Sequence, residues 1–317
     1  MRKLLVTGGA GFIGSHVVDA LVRRGDRVRV LDNLSTGNLA NLVEVRDRIE
    51  FIQADLNDAA AVARAVEGVD CIFHEAALAS VPRSVEKPLD TNAACVTGTV
   101  VLLDLARKAG VRRLVYAASS SAYGNQPAAS KRESDLPMPI SPYGAAKVAA
   151  EYYCQAFAAL GQIETVALRY FNVFGPRQDP NSEYSAVIPR FITLMLGGKR
   201  PTVFGDGYQS RDFTFVGDVV EGNLLAADAP GVSGRVFNVA TGHQVNLLEL
   251  LTALNRLLKT SVEPIFAPPR AGDVRESLAD ITLARQHLAY EPRIRFEEGL
   301  RRSIDYYCGL VRKTGIS

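Results

Sequence analysis

Residues 7–16 read TGGAGFIGSH, and the spacing of Gly8, Gly11 and Gly14 within them decides the fold. An apolar run, KLLV at 3–6, leads in, and a helical pattern, IGSHVVDALVRRG at 13–25, leads out. Between strand and helix the backbone must turn sharply, approach a ligand and pack against the sheet, and side chains obstruct all three tasks. The free N–H groups and positive dipole at the helix start then suit a pyrophosphate. Taken alone, such glycines also mark ordinary turns. Asp32 supplies the context. It ends the second apolar run, RVRVLD, where a carboxylate accepts from both hydroxyls of an adenosine ribose and repels a 2′-phosphate, so the pattern predicts NAD over NADP.

Outward from this motif, IEFIQAD (49–55), DCIFHEA (70–76), RLVYAAS (113–119) and TVALRY (165–170) read as further strands, rich in consecutive apolar residues. Such runs fit strands covered on both faces, as in a parallel sheet. Amphipathic helical stretches separate them, the first closed by Gly25 as a C-cap. The succession predicts an α/β fold: a doubly wound parallel-sheet Rossmann domain over 1–171, completed by segments of about 212–245. Residues 172–317 are expected to form mainly a smaller α/β substrate-binding domain. Its Gly/Pro-rich loops PRQDPNSEY, VFGDGYQSRD and FAPPRAGD would close over the carboxyl ends of the strands. ADL at 54–56 and HEAAL at 74–78 would line the same crevice.

Composition narrows the function class. Lys and Arg number 36 against 34 Asp and Glu, a formal net charge of +2, so no strong field points to nucleic acid or a membrane surface. The start of the chain is expected to leave no room for a signal peptide, and no apolar run is expected to approach the length of a membrane span. The four cysteines, Cys71, Cys95, Cys154 and Cys308, lack metal-ligand spacing and read as reduced cytosolic thiols. The four histidines form no pair at zinc spacing, so no metal is expected.

With SPYGAAK at 141–147 added to TGGAGFIGSH, HEAAL and the serine run of AASSSAYG at 117–124, the chain resembles the extended short-chain dehydrogenase/reductase family along essentially its whole length. Through DNLSTG, RYFNVFGPRQDP and FGDGYQSRDF it looks most like the UDP-sugar 4-epimerases. Tyr143 and Lys147 form Y-x-x-x-K, which on a helix share a face. The ammonium, helped by the positive charge of a nicotinamide, is expected to bring the phenol toward working pH, so that Tyr143 acts as general base on a sugar hydroxyl. The resemblance makes Ser119 the hydroxyl that hydrogen-bonds the reacting oxygen and Ser121 a second contact to the sugar, with Ser120 between them. Dehydrating relatives carry an Asp-Glu pair at the Ser120 and Ser121 positions, and decarboxylating relatives a Glu at the latter. Serines there favour reversible oxidation at C4.

The resemblance also implies that Phe12, Ile13, Asn33, Ser35, Thr36, Gly37, Asp55, Leu56, Ala76, Ala77, Asn92 and Tyr170 hold NAD together with Gly8, Gly11, Gly14, Asp32, Ser119, Tyr143 and Lys147. On the UDP-sugar side it implies Ser80, Val81 and Asn172 at the sugar and Val187, Ile188, Phe191 and Phe204 around uracil. Arg211 and Arg270 would meet the diphosphate and Asp273 the ribose. Ser277 stands where glucose-restricted members place a bulky Tyr, so it leaves room for an N-acetyl group without requiring one. AALASVPRS, RQDPNSEYSAVIP and GDVRES resemble UDP-N-acetylglucosamine 4-epimerases most closely. A UDP-glucose 4-epimerase proper, a UDP-uronic acid 4-epimerase using Arg83, and a non-catalytic NAD-binding protein are the alternatives. The helices near 90–109 and 143–160 would form a homodimer interface, or else pack within the monomer.

Overall fold

The computed structural model describes residues 1–128, 130–180, 187–269 and 275–314. Its centre is a seven-stranded parallel sheet, with strands β1 (Lys3–Thr7), β2 (Arg27–Asp32), β3 (Ile49–Gln53), β4 (Cys71–His74), β5 (Arg113–Ser119), β6 (Glu164–Tyr170) and β7 (Arg235–Val239). The spatial order is β7-β6-β5-β4-β1-β2-β3. The chain therefore winds outward from β1 in one direction through β3, then restarts at β4 and winds the other way. The crevice of a doubly wound sheet opens at that switch, between β1 and β4, which pair from Leu4↔Cys71 to Thr7↔His74.

Side chains alternate across the sheet, so neighbours such as Leu4 and Leu5 enter different cores. On one face α1 (Phe12–Arg23) and α5 (Val216–Asp228) bring Val17, Val18, Leu21 and Val219 against Val6, Val115 and Phe237. On the other, α2 (Ala59–Val66), α3 (Gly98–Lys108) and α4 (Pro142–Ala159) bring Val62, Leu102, Leu103 and Ala150 against Ile72, Leu114 and Tyr116. Helix α1 ends as the glycine predicts: Gly25 takes φ +84°, its N–H reaches Val22 O, and Asp26 N–H reaches Leu21 O.

A separate core gathers residues from the later part of the chain. Phe174, Phe191, Phe213, Phe215, Leu250 and Leu300 are almost wholly buried, and the ring of Phe174 meets Phe215 edge-on at 5.7 Å. Short strand pairs frame it. Thr202–Phe204 lies beside Ile265–Ala267, while Ser210–Arg211 is flanked by Val245–Asn246 and Glu276–Ser277.

One expectation needs correction. The continuous helical run Pro88–Lys108 is long and apolar enough, by length and composition, to cross a membrane. Leu102, Leu103 and Ala106 in it are fully buried against the sheet, so core packing accounts for part of that apolar character. Among the described residues no group of His, Cys, Asp and Glu is placed to hold a metal, and all four cysteines are free thiols.

Candidate active site

A cleft of about 930 Å³ opens at the carboxyl ends of β1, β2 and β4. Its floor is backbone. Gly8 sits at φ +67°, and a Cβ there would lie 2.6 Å from Ala76 N; a Cβ on Gly14 would lie 2.2 Å from Gly8 O. Both positions are closed to any side chain. Gly11 caps α1 without a side-chain hydrogen bond, leaving the first-turn N–H groups to a ligand. Asp32 borders the cleft, its oxygens held by the N–H groups of Ala10 at 2.9 Å and Leu34 at 2.8 Å. Gly37 lies directly under it: a Cβ there would meet Asp32 Oδ1 at 2.8 Å. Burial alone would raise the Asp55 carboxyl, but hydrogen bonds from Asn57 and Asn33 outweigh it and hold it below its ordinary value. A glycine floor that excludes side chains, an uncapped helix start and a strand-end carboxylate fit a dinucleotide.

Most of the expected cofactor residues meet here. Gly8, Gly11, Phe12, Ile13, Gly14, Asp32, Asn33, Ser35 and Thr36 line the cleft, as do Asp55, Leu56, Ala76, Ala77, Tyr143, Lys147 and Tyr170. Asn92 is not among the lining residues, although its neighbours Asp90, Ala93 and Ala94 are. It ends the short helix Pro88–Asn92, just before a π-helical turn at Ala93–Thr97. Ser80 lines the cleft mouth, and Val81 begins the helix Val81–Glu86 beside it.

The chemical end is set by α4. Ser141 caps it by accepting from Gly144 N–H at 3.1 Å, and the Tyr143 N–H reaches Ser84 Oγ at 3.1 Å, which fixes the tyrosine in the first turn. Lys147 is buried; its ammonium donates to Ala117 O at 2.7 Å and lies 4.9 Å from the Tyr116 ring centre and 6.0 Å from that of Tyr143. Ser119 ends β5, where its hydroxyl reaches Ser121 Oγ at 3.1 Å and accepts from Ser121 N–H. Ser119, Ser120 and Ser121 are partly buried and lie outside the lining of the cleft. The expected lowering of the tyrosine does not come from the protein alone. Burial pushes the Tyr143 phenol well up, with the nearby Cys95 adding to it and only a hydrogen bond with Ser119 opposing. Burial likewise lowers Lys147.

A second pocket, of about 250 Å³, begins two residues beyond Tyr170. Asn172, Val187, Ile188, Phe191, Phe204 and Arg211 all line it. Ser277 stands in register with Arg211 on the neighbouring strand, outside the pocket wall itself. Arg270 and Asp273 lie outside the described residues.

Two features were not read from the sequence. His74 is locked between Thr7 Oγ1 at 2.7 Å and Thr99 Oγ1 at 2.8 Å. Thr99 donates its own proton to Cys95 O, so the imidazole carries its proton on Nε2 and accepts from Thr7. Burial, with the Lys147 charge adding, holds His74 down to about 3, so it stays neutral. The other is Glu75, a carboxylate inside the cleft that accepts from Tyr170 Oη at 2.9 Å. The only sequence signal was its place in HEAAL at a strand end.

The model of the NAD dependent epimerase/dehydratase family matches residues 4–240. The chain belongs to this family. The UDP-glucose 4-epimerase of Mycolicibacterium smegmatis is 41% identical over 310 residues, covering 96% of this chain and 98% of the relative. Among solved structures, the UDP-N-acetylglucosamine 4-epimerase of Methanobrevibacter ruminantium M1, in complex with UDP-N-acetylmuramic acid, superposes with a TM-score of 0.94 at 38% identity, covering 98% of this chain and 99% of that one. The Thermotoga maritima UDP-glucose 4-epimerase with UDP-glucose gives a TM-score of 0.93 at 39% identity over the same shares. NAD is the epimerase family's cofactor, and the cleft fits it.

Proposed function

We propose that the protein is an NAD-dependent UDP-sugar 4-epimerase that interconverts UDP-N-acetylglucosamine and UDP-N-acetylgalactosamine and also accepts UDP-glucose and UDP-galactose. One observation carries the reading: Tyr143, Lys147 and Ser119 converge at the strand end, and the adjoining positions are Ser120 and Ser121. Serines cannot supply the acid and base that elimination of water requires near neutral pH.

In this reading Tyr143 takes the proton of the sugar 4-hydroxyl while Ser119 hydrogen-bonds the same oxygen. NAD⁺ held by the glycine floor and Asp32 would supply a hydride acceptor for C4 and the positive charge that the buried phenol lacks from its own surroundings. Lys147, tied to Ala117 O, holds a compensating charge beneath the tyrosine. The resulting 4-keto sugar turns over and recovers both hydride and proton, so no cofactor is consumed. Asn172, Phe191, Phe204 and Arg211 would seat the UDP moiety. The small Ser277 supports acceptance of an N-acetyl group.

Incubation of the purified protein with UDP-N-acetylglucosamine and, separately, UDP-glucose tests this. Epimer mixtures from both are expected, with the acetylated sugar turned over faster. Conversion of UDP-glucose alone would establish the glucose-restricted reading. A uronic acid substrate is a second reading, favoured by Arg83, which lines the cleft beside Ser80. We further propose a homodimer built on the outer faces of Val81–Lys108 and α4, where Val85, Leu89, Tyr152 and Tyr153 are exposed. Sedimentation at the mass of one chain would refute it.

A further inference from the structure

Glu75 stands at the switch point of the sheet, one residue beyond β4 and beside Gly8, whose Cβ would meet the Glu75 carbonyl carbon at 2.9 Å. Its backbone N–H is held by Thr7 O at 3.1 Å, so the residue cannot drift from the cleft floor. The side chain is held too. Asn223, fully buried, donates from Nδ2 to Val219 O at 2.9 Å and to Tyr170 Oη at 2.7 Å. That leaves the single Tyr170 proton for Glu75 Oε1. The relay from α5 through β6 thus aims one carboxylate oxygen at Tyr170 and fixes the group in the same cleft as Lys147 and Tyr143.

We propose that Glu75 biases the bound dinucleotide toward its oxidised form, so that the hydride taken from the sugar is returned and not retained. The proposal rests on the NAD-dependent reading of the cleft. Oxidation moves a hydride from sugar C4 to the nicotinamide and the hydroxyl proton to Tyr143, which discharges the ring's positive charge. A carboxylate in a low-dielectric cleft favours the charged ring over the neutral one. Lys147 on α4 is a cation that acts on Glu75, and Tyr170 on β6 is its hydrogen-bond donor; His74 precedes it on β4 with its ring against Tyr116 on β5, and Tyr143 on α4 lines the same cleft. Burial pushes the Glu75 carboxyl up to about 7, against the pull of the Tyr170 hydrogen bond and the Lys147 charge. His74 and the tyrosines do not change charge near that pH, since burial lowers the first and raises the others. The bias is therefore present above about pH 7 and lost below it.

The test is competition between NAD⁺ and NADH for the full-length protein, followed by the fluorescence of bound NADH. Above the Glu75 transition, Glu75→Gln keeps an acceptor for Tyr170 but removes the charge, and should shift the affinity ratio about tenfold toward NADH. The wild-type ratio should move the same way as pH falls through about 7, and the variant should stay flat. An unchanged ratio in Glu75→Gln overturns the proposal; so does a wild-type ratio independent of pH, even if the variant fails to fold. Neither measurement uses a sugar. Absence of turnover with every UDP-sugar would sink the epimerase reading and leave the role of Glu75 separately decided.

Discussion

The cleft at the ends of β1 and β4 is floored by backbone, whereas the pocket beside Phe191 is walled by side chains from separated segments of the later chain. In the first, a methyl group on Gly14 would strike Gly8 O at 2.2 Å, so the geometry tolerates one residue type only. In the second, Val187, Ile188, Phe191 and Phe204 offer apolar surface that other residues of similar volume also provide. The cofactor's cleft is thus set by backbone geometry, while the second pocket, proposed for the UDP moiety, is adjustable. Tyr143 lines the first cleft, yet side chains place it: the Ser84 hydroxyl takes its N–H, and Ser141 caps its helix.

That position makes Tyr143→Phe the largest expected effect. Turnover should fall by about a thousandfold or more, the scale of a lost general base, while NAD affinity and thermal stability stay near wild type. Retained activity would show that the comparison omits the true base. Gly14→Ala comes next. Its methyl cannot be accommodated without moving β1 or α1, so NAD affinity should fall by about a hundredfold or more, with a lowered melting temperature. A variant that still binds NAD normally would break the claim that backbone geometry sets the floor of this site.

The same contrast explains what was legible in the sequence. Glycine spacing, the strand-end Asp32 and the apolar runs are local signals, each imposed by backbone geometry; the six strands they mark are present, and most residues expected at the cofactor line one cleft. The seventh strand, Arg235–Val239, was foreseen only as a segment completing the sheet, because 64 residues of sequence lie between its start and the end of β6 (Tyr170). Glu75 was hidden for a related reason: its meaning depends on Tyr170 and Asn223, which adjoin it only through the fold. The bidentate pair of Arg169 with Glu151 at 2.7 and 2.9 Å, both buried, is another contact that no local pattern announces. The i,i+4 spacing of Tyr143 and Lys147 brings the ammonium near the ring, but it could not show the desolvation that raises the phenol in the protein alone.

The smallest expected effect is also the one that sharpens the adjustable side of the comparison. Ser277 lies on a two-residue strand, Glu276–Ser277, and its backbone is fixed by the Asp212 N–H at 2.8 Å to its carbonyl oxygen. Asp212 in turn accepts from Thr241 N–H, Thr241 Oγ1 and Gly242 N–H, so the strand is anchored while the side chain remains only partly buried. Ser277→Tyr should therefore fold. A bulky ring beside the sugar would exclude an N-acetyl group more than a hydroxyl, lowering kcat/KM for UDP-N-acetylglucosamine by about tenfold or more relative to UDP-glucose. The contrast lies in the ratio: a loss shared equally by both sugars would mean that Ser277 acts through the strand and not through the pocket. With NAD affinity as the control, a change confined to the acetylated sugar would assign specificity to side chains and leave the backbone floor untouched.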